Sequence, residues 1–209
     1  MILQKIIFYR LSLTLEIIHR FNFSAKSYKQ TLWPCLVSNC VNSLNNVVTY
    51  KTDEEIPLRY DFEYKKSVVK KYGKIFSPAV LPQYSSKLSE ICSLVKKSKG
   101  IVLIYSQYID GGLVPLALAL EEMGFGRYGS APHTKNLFSN NRIQAIDSLT
   151  MKTRKEMGED VANFQPAKYV MITGDKHFSP NNDADVKYVT TPENKYGKNV
   201  KVILISKAA

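Results

Sequence analysis

The sequence predicts an α/β protein, a parallel sheet flanked by helices, built in the C-terminal two-thirds of the chain. Two observations lead to this. Residues 101–105, 169–172 and 200–205 are continuous apolar runs without polar alternation, as strands covered on both faces require. Each run ends in small, polar or charged residues, at Ser106-Gln107, Thr173-Gly174-Asp175 and Ser206-Lys207. Open α/β sheets bind ligands outside the carboxyl ends of their strands, so the functional edge is expected there.

The other elements follow in chain order. The opening MILQKIIFYRLSLTLEIIHRF is apolar but broken by Lys5, Arg10, Glu16 and His19, too interrupted for a membrane span and without the cleavage site of a signal peptide. A helix docked on a core is expected for it. Residues 1–75 otherwise form a lead-in segment of unclear fold, ending in Lys65, Lys66, Lys70, Lys71 and Lys74 at near-helical spacing with Tyr64 and Tyr72 among them. That pattern suits an exposed charged helix face, or a phosphate-tracking face with stacking rings.

From residue 84 the pattern sharpens. Ser85 or Ser86 can cap a helix that buries Leu88, Ile91, Cys92 and Val95, and Lys96, Lys97 and Lys99 suit its C-terminal dipole before Gly100. After the first apolar strand comes the loop 106–112, then a nearly all-apolar helix over 113–123, with Pro115 in its first turn and Gly124 as its stop. Residues 125–166 are too long for a plain connection and read as an insertion, helical over 151–161. Such an insertion serves either partner contacts or surface elaboration.

Composition bounds the function. At 44% hydrophobic and 22% charged, the 209-residue chain has the balance of an ordinary globular protein. Lys and Arg outnumber Asp and Glu by 29 to 18, a net charge of +11. Such a surface attracts phosphate backbones within a Debye length of ~8 Å, and it also simply solubilises. Three cysteines, an odd number in a chain of this size, point to a reducing compartment. Cys35 and Cys40 lack a matching second pair, and His19, His133 and His177 stand singly, so no metal site is expected.

Several motifs are decoys. Gly124-Phe125-Gly126-Arg127-Tyr128-Gly129 matches GxGxxG but follows a helix rather than a strand. No GxxxxGK[ST] phosphate loop occurs, and no apolar run ends in an Asp-Glu pair for magnesium. Asn181, Asn182, Asp183 and Asp185 lack the Gly and distal Glu of a calcium loop, and Ser106 has no partner at a nucleophile's spacing.

The blocks LPQYSSKLSEICSLVKKSKGIVLIYSQYIDGGLVPLALALEEMGFGRYGS, AIDSLTMK, AKYVMITGDKHFSPNNDADVKYVT and ENKYGKNVKVILISKA together resemble the C-terminal RecA-like lobe of superfamily 2 helicases of nucleocytoplasmic large DNA viruses. These are mimivirus-type and asfarvirus-type proteins related to poxvirus early transcription ATPases. The resemblance spans 84–208, with 76–83 also fitting, and implies an incomplete RecA-like parallel sheet over 76–209. It aligns residues 101–107 with motif IV, 169–175 with the strand and turn that follow, and 202–208 with the start of motif V.

On that alignment Ser106, Gln107, Thr173, Gly174, Ser206 and Lys207 are the expected contacts to the nucleic-acid backbone, and contacts of this kind position a strand without reading its bases. Intact family members use ATP and Mg²⁺. Family members also continue through the rest of motif V to a motif VI arginine finger and carry a first lobe with the phosphate loop. The expectation is therefore a truncated lobe with no cofactor and no catalytic residues of its own, inactive alone, because an arginine finger by itself is worth about 10³ to 10⁵ in rate. An apolar strand at 200–205 is expected on an exposed sheet edge as a result.

The implied partner is DNA or RNA backbone, with the missing lobe in trans as a further partner in a split ATPase; a protein-interaction module is the remaining alternative. No membrane partner is expected. The address implied is host cytoplasm, at the viral factory, or the virion.

Overall fold

The computed structural model describes residues 7–11, 48–53, 56–132, 134–139 and 143–207. The opening segment outside 7–11, and Cys35, Cys40, His19 and His133, lie outside the described residues. The first strands are β1 (Ile7–Leu11), β2 (Val48–Asp53) and β3 (Ile56–Tyr64), followed by helices α1 (Lys66–Tyr72) and α2 (Ser86–Lys97). Then come β4 (Val102–Ser106), α3 (Val114–Glu122), β5 (Gly126–Tyr128), α4 (Arg154–Met157), β6 (Lys168–Ile172), α5 (Asn182–Val189) and β7 (Val202–Ser206).

The three apolar runs form adjacent parallel strands, as expected, in a sheet ordered β1-β4-β7-β6-β5. β2 and β3 make a separate antiparallel pair. Two expectations are corrected. The opening segment was expected to be helical, but Ile7–Leu11 is a strand that pairs in parallel with β4. Its backbone supplies the parallel ladder along the side of β4 away from β7, which a helix cannot do. The strand near the C-terminus is not at an edge: β7 lies between β4 and β6, and Val202 and Leu204 are fully buried.

The order explains the layers. From β4 the chain crosses to the far edge as β5, and from β6 it steps back to insert β7. Crossovers between parallel strands are right-handed, so reversing direction places the connecting helices on opposite faces. Leu116, Ala119 and Leu120 of α3 pack with Ile104, Tyr169, Met171, Val202 and Leu204. Val189 of α5 packs with Val170, Ile172 and Val200 on the other side. The first face is fully covered. On the second, β4 and β7 keep half-buried positions at Leu103, Tyr105, Ile203 and Ile205, short of the two-sided burial the apolar runs imply.

Local signals behave as their chemistry requires. The Ser85 hydroxyl accepts from the Leu88 amide and starts α2, which buries Ile91, Cys92 and Val95. Burial pushes the Cys92 thiol up to about 12, so it is a packing group rather than a nucleophile. At the far end of α2 the Lys201 amine donates to the Ser98 carbonyl at 2.9 Å. The lysine-rich run is helical as α1, with Lys66, Lys70 and Lys71 exposed. The expected helix over 151–161 is shorter: Thr153 and Glu156 form a capping box for the four residues of α4, and a 3-10 segment, Gly158–Asn163, follows.

The segment read as an insertion is threaded into the core. Its first residues are strand β5, so the GxGxxG string runs from a helix end into an edge strand. Gly124 there has φ 101°, and an added Cβ would sit 2.5 Å from the Gln144 carbonyl. Leu137, Phe138, Ile146 and Met151 are buried with the main core, stacked in part on Tyr64 through Phe138.

Two carboxylates hold this segment. Glu121 is fully buried, and its Oε1 accepts from the Leu137 amide and the Tyr169 hydroxyl, each at 2.6 Å, while Oε2 accepts from the Phe138 amide at 2.8 Å. Burial raises its pKa against the pull of those bonds and of Arg127. Asp147, also buried, accepts from the amides of Leu149, Thr150 and Gln165 and from the Thr150 hydroxyl. Burial works against its ionisation, but the bonds from Gln165, Thr150 and Leu149 outweigh it and hold its pKa below the ordinary value.

Two outcomes are expected. Replacing Glu121 by Ala strands two amides and a phenol without an acceptor and costs at least ~3 kcal/mol, read by chemical denaturation. Because Asp147 has a depressed folded pKa, its contribution is present above the unfolded value of about 3.9 and is lost as pH falls through the lower folded one. A stability profile below about pH 4 should therefore fall less steeply for Asp147→Asn than for the wild type.

Candidate functional site

β4, β7 and β6 end level with one another. Ser106 pairs with Ser206, and Ile205 with Ile172, so one step further Thr173 lies beside Ser206. The six residues expected at the nucleic-acid backbone therefore occupy two successive rows across three strands. Ser106, Ser206 and Thr173 form the inner row and are buried; Gln107, Lys207 and Gly174 form the outer row and are exposed.

The inner hydroxyls are turned back onto the protein. Ser106 Oγ accepts from the Tyr108 amide at 3.1 Å and donates to the Tyr108 carbonyl at 2.9 Å. Thr173 Oγ1 accepts from the Asp175 amide at 3.2 Å and faces Ser179 Oγ at 2.8 Å. Ser206 Oγ accepts from the Gly174 amide at 3.3 Å. Two strands thus end in the same device, a hydroxyl bonded to the amide two residues on, which halts the ladder and turns the chain. These side chains shape the edge, and the outer row is what the edge presents.

The loops after β4 and β6 depart toward opposite faces because α3 and α5 lie on opposite faces. Between them the end of β7 lies at the floor of a crevice, the arrangement in which open α/β sheets seat ligands. One wall is Gln107, Tyr108 and a π-helical turn, Ile109–Leu113, which leads into α3. The other is Gly174, Asp175, Lys176 and the start of α5. Beside it opens a cleft of about 340 Å³ lined by Thr173, Gly174, Lys176, Ser179 and Asn182, among others. The Asn182 amide nitrogen donates to the Thr173 carbonyl at 2.7 Å, and its Oδ1 is buried without a partner.

The electrostatics of the crevice are mixed. The pKa of Asp110 is raised, first by burial and then by the charge of Asp175 across the crevice. Asp175 Oδ1 is held by the His177 amide and sits 2.8 Å from His177 Nδ1. Lys176 and Lys207 supply exposed positive charge nearby. Tyr108, Asp110, Asp175, Lys176 and His177 are not among the contacts expected from the sequence, although Asp175 closes one of its strand-end motifs. A Ser or Thr closing an apolar run is the signal that could have located Tyr108 and Asp175, since its hydroxyl bonds two residues on.

The Ser106 turn depends on Gly112, against which the Ser106 side chain packs. A Cβ at Gly112 would lie 2.3 Å from Ser106 Oγ and 3.1 Å from Ser106 Cβ. Gly112→Ala is therefore expected to cost about 1–3 kcal/mol. The same change made in a Ser106→Ala background, where the closest atom is gone, should cost clearly less, a coupling that a double-mutant cycle of denaturation curves measures.

Comparison of this chain with protein-family models, with curated proteins and with solved structures finds no match in any of the three.

Proposed function

We propose that this chain binds the backbone of DNA or RNA across the carboxyl ends of β4, β7 and β6, in keeping with the superfamily 2 helicase lobes that its sequence blocks resemble. The observation that carries this reading is the outer row. Gln107, Lys207 and Gly174 stand exposed and level across three parallel strands, with Lys176 beside them, in a chain of net charge +11. Adjacent strands are about 4.8 Å apart, so the row spans roughly 10 Å, enough for consecutive phosphates of one strand.

The Gly174 amide is already bonded to Ser206 Oγ, so the contacts to phosphate come from Lys207, Lys176 and Gln107 side chains. Such contacts add affinity without base specificity. The parent activity on this reading is that of an ATP-dependent helicase or transcription-associated ATPase. The sequence carries no Gly-Lys-Ser/Thr loop of the kind that cradles a triphosphate. No step of hydrolysis is assigned to these residues.

Fluorescence anisotropy with a labelled oligonucleotide across a salt series tests the reading. Affinity should fall with rising salt, and Lys207→Gln and Lys176→Gln should each reduce the logarithmic slope by about one. Affinity indifferent to salt, or slopes unchanged in both variants, sinks it.

A further inference from the structure

Tyr108 stands out at the same edge. It is 41% exposed, in a position where the chain around it is otherwise tightly held. Its amide donates to Ser106 Oγ, and its carbonyl accepts from Ser106 Oγ and from the Leu113 amide at 3.2 Å. Both backbone groups of the residue are thus tied down while the ring is left in solvent. An exposed aromatic ring on a loose loop loses backbone and side-chain freedom when it binds; on a clamped backbone only the side-chain rotations remain to be lost.

The surroundings of the ring favour a neutral, flat ligand group over a phosphate. Asp110, two residues on, gives this wall a negative character, while Lys207 lies at the floor and Asp175 and Lys176 lie together on the opposite wall. A strand lying along Lys207 and Lys176 would turn its bases, rather than its phosphates, toward Tyr108.

We propose that Tyr108 is a stacking platform for an unpaired base, which makes the ligand of this edge a single strand rather than a duplex. The inference rests on the backbone-binding reading above and deepens it. In a duplex the base faces are already occupied by neighbouring pairs, so the ring gains nothing from them; in a single strand any base offers a face, and the contact is indifferent to sequence.

The test compares the full chain with Tyr108→Ala and Tyr108→Phe, by anisotropy, on a single-stranded oligonucleotide, the corresponding duplex, and a single strand of abasic sites. Tyr108→Ala is expected to weaken single-strand binding about 5- to 100-fold, leave duplex and abasic binding within twofold, and be rescued by Phe. Thermal melts of the three proteins should agree, because the ring is not in the core. Single-strand binding that survives Tyr108→Ala, or an equal loss on all three ligands, overturns the stacking role while leaving backbone binding standing. A wild-type chain that binds none of the ligands overturns both.

Discussion

The position of β7, in register between β4 and β6, is the constraint on which the rest depends. A parallel strand inserted late in the chain must find two partners whose carboxyl ends are level, or its own end cannot meet theirs. The pairs Ser106 with Ser206 and Ile172 with Ile205 satisfy this. Because β4 and β6 send their connections to opposite faces, the end of β7 becomes the floor of a crevice instead of one more covered strand. Shifting β7 by one residue would exchange Val202 and Leu204, which are fully buried, for half-buried Ile203 and Ile205, and would destroy the inner row of hydroxyls as well.

The crevice shows how residue type and residue role can separate. Ser106, Thr173 and Ser206 have the chemistry of phosphate ligands, yet each hydroxyl is bonded to the peptide chain beside it. A buried hydroxyl left unbonded is costly, so a strand end that buries its last side chain bonds it locally. The effect is to pin the next residues outward. Gln107, Gly174 and Lys207 are exposed as a consequence, and Tyr108 is both clamped and exposed. Asp110 stands on one wall, Lys207 at the floor, and Asp175 and Lys176 on the other wall.

The long connection between β5 and β6 is anchored by polar groups as much as by apolar ones. Glu121 and Asp147 each take several backbone amides that a loop passing through the core would otherwise leave unpaired. Arg127 adds a tie from β5 to the Phe178 carbonyl at 2.5 Å. The two carboxylates differ in outcome. Burial dominates at Glu121 and raises its pKa, whereas the bonds at Asp147 are sufficient to lower it.

The sequence by itself determined the sheet class, the helices α2 and α3, the Ser85 cap of α2, and the strand ends as the place where polar groups gather. These are local matters: unbroken apolar runs, three- and four-residue spacing and the conformational limits of Ser, Pro and Gly act within a few residues of chain. Only the tertiary structure decided that Ile7–Leu11 is a strand, that β7 is central, and that Leu137, Phe138, Ile146 and Met151 of the segment read as an insertion belong to the core. It also decided which of Ser106, Gln107, Thr173, Gly174, Ser206 and Lys207 face outward. Strand order and register are set by partners far away in sequence, and burial of a hydroxyl depends on what packs over it, so neither is written in the neighbouring residues.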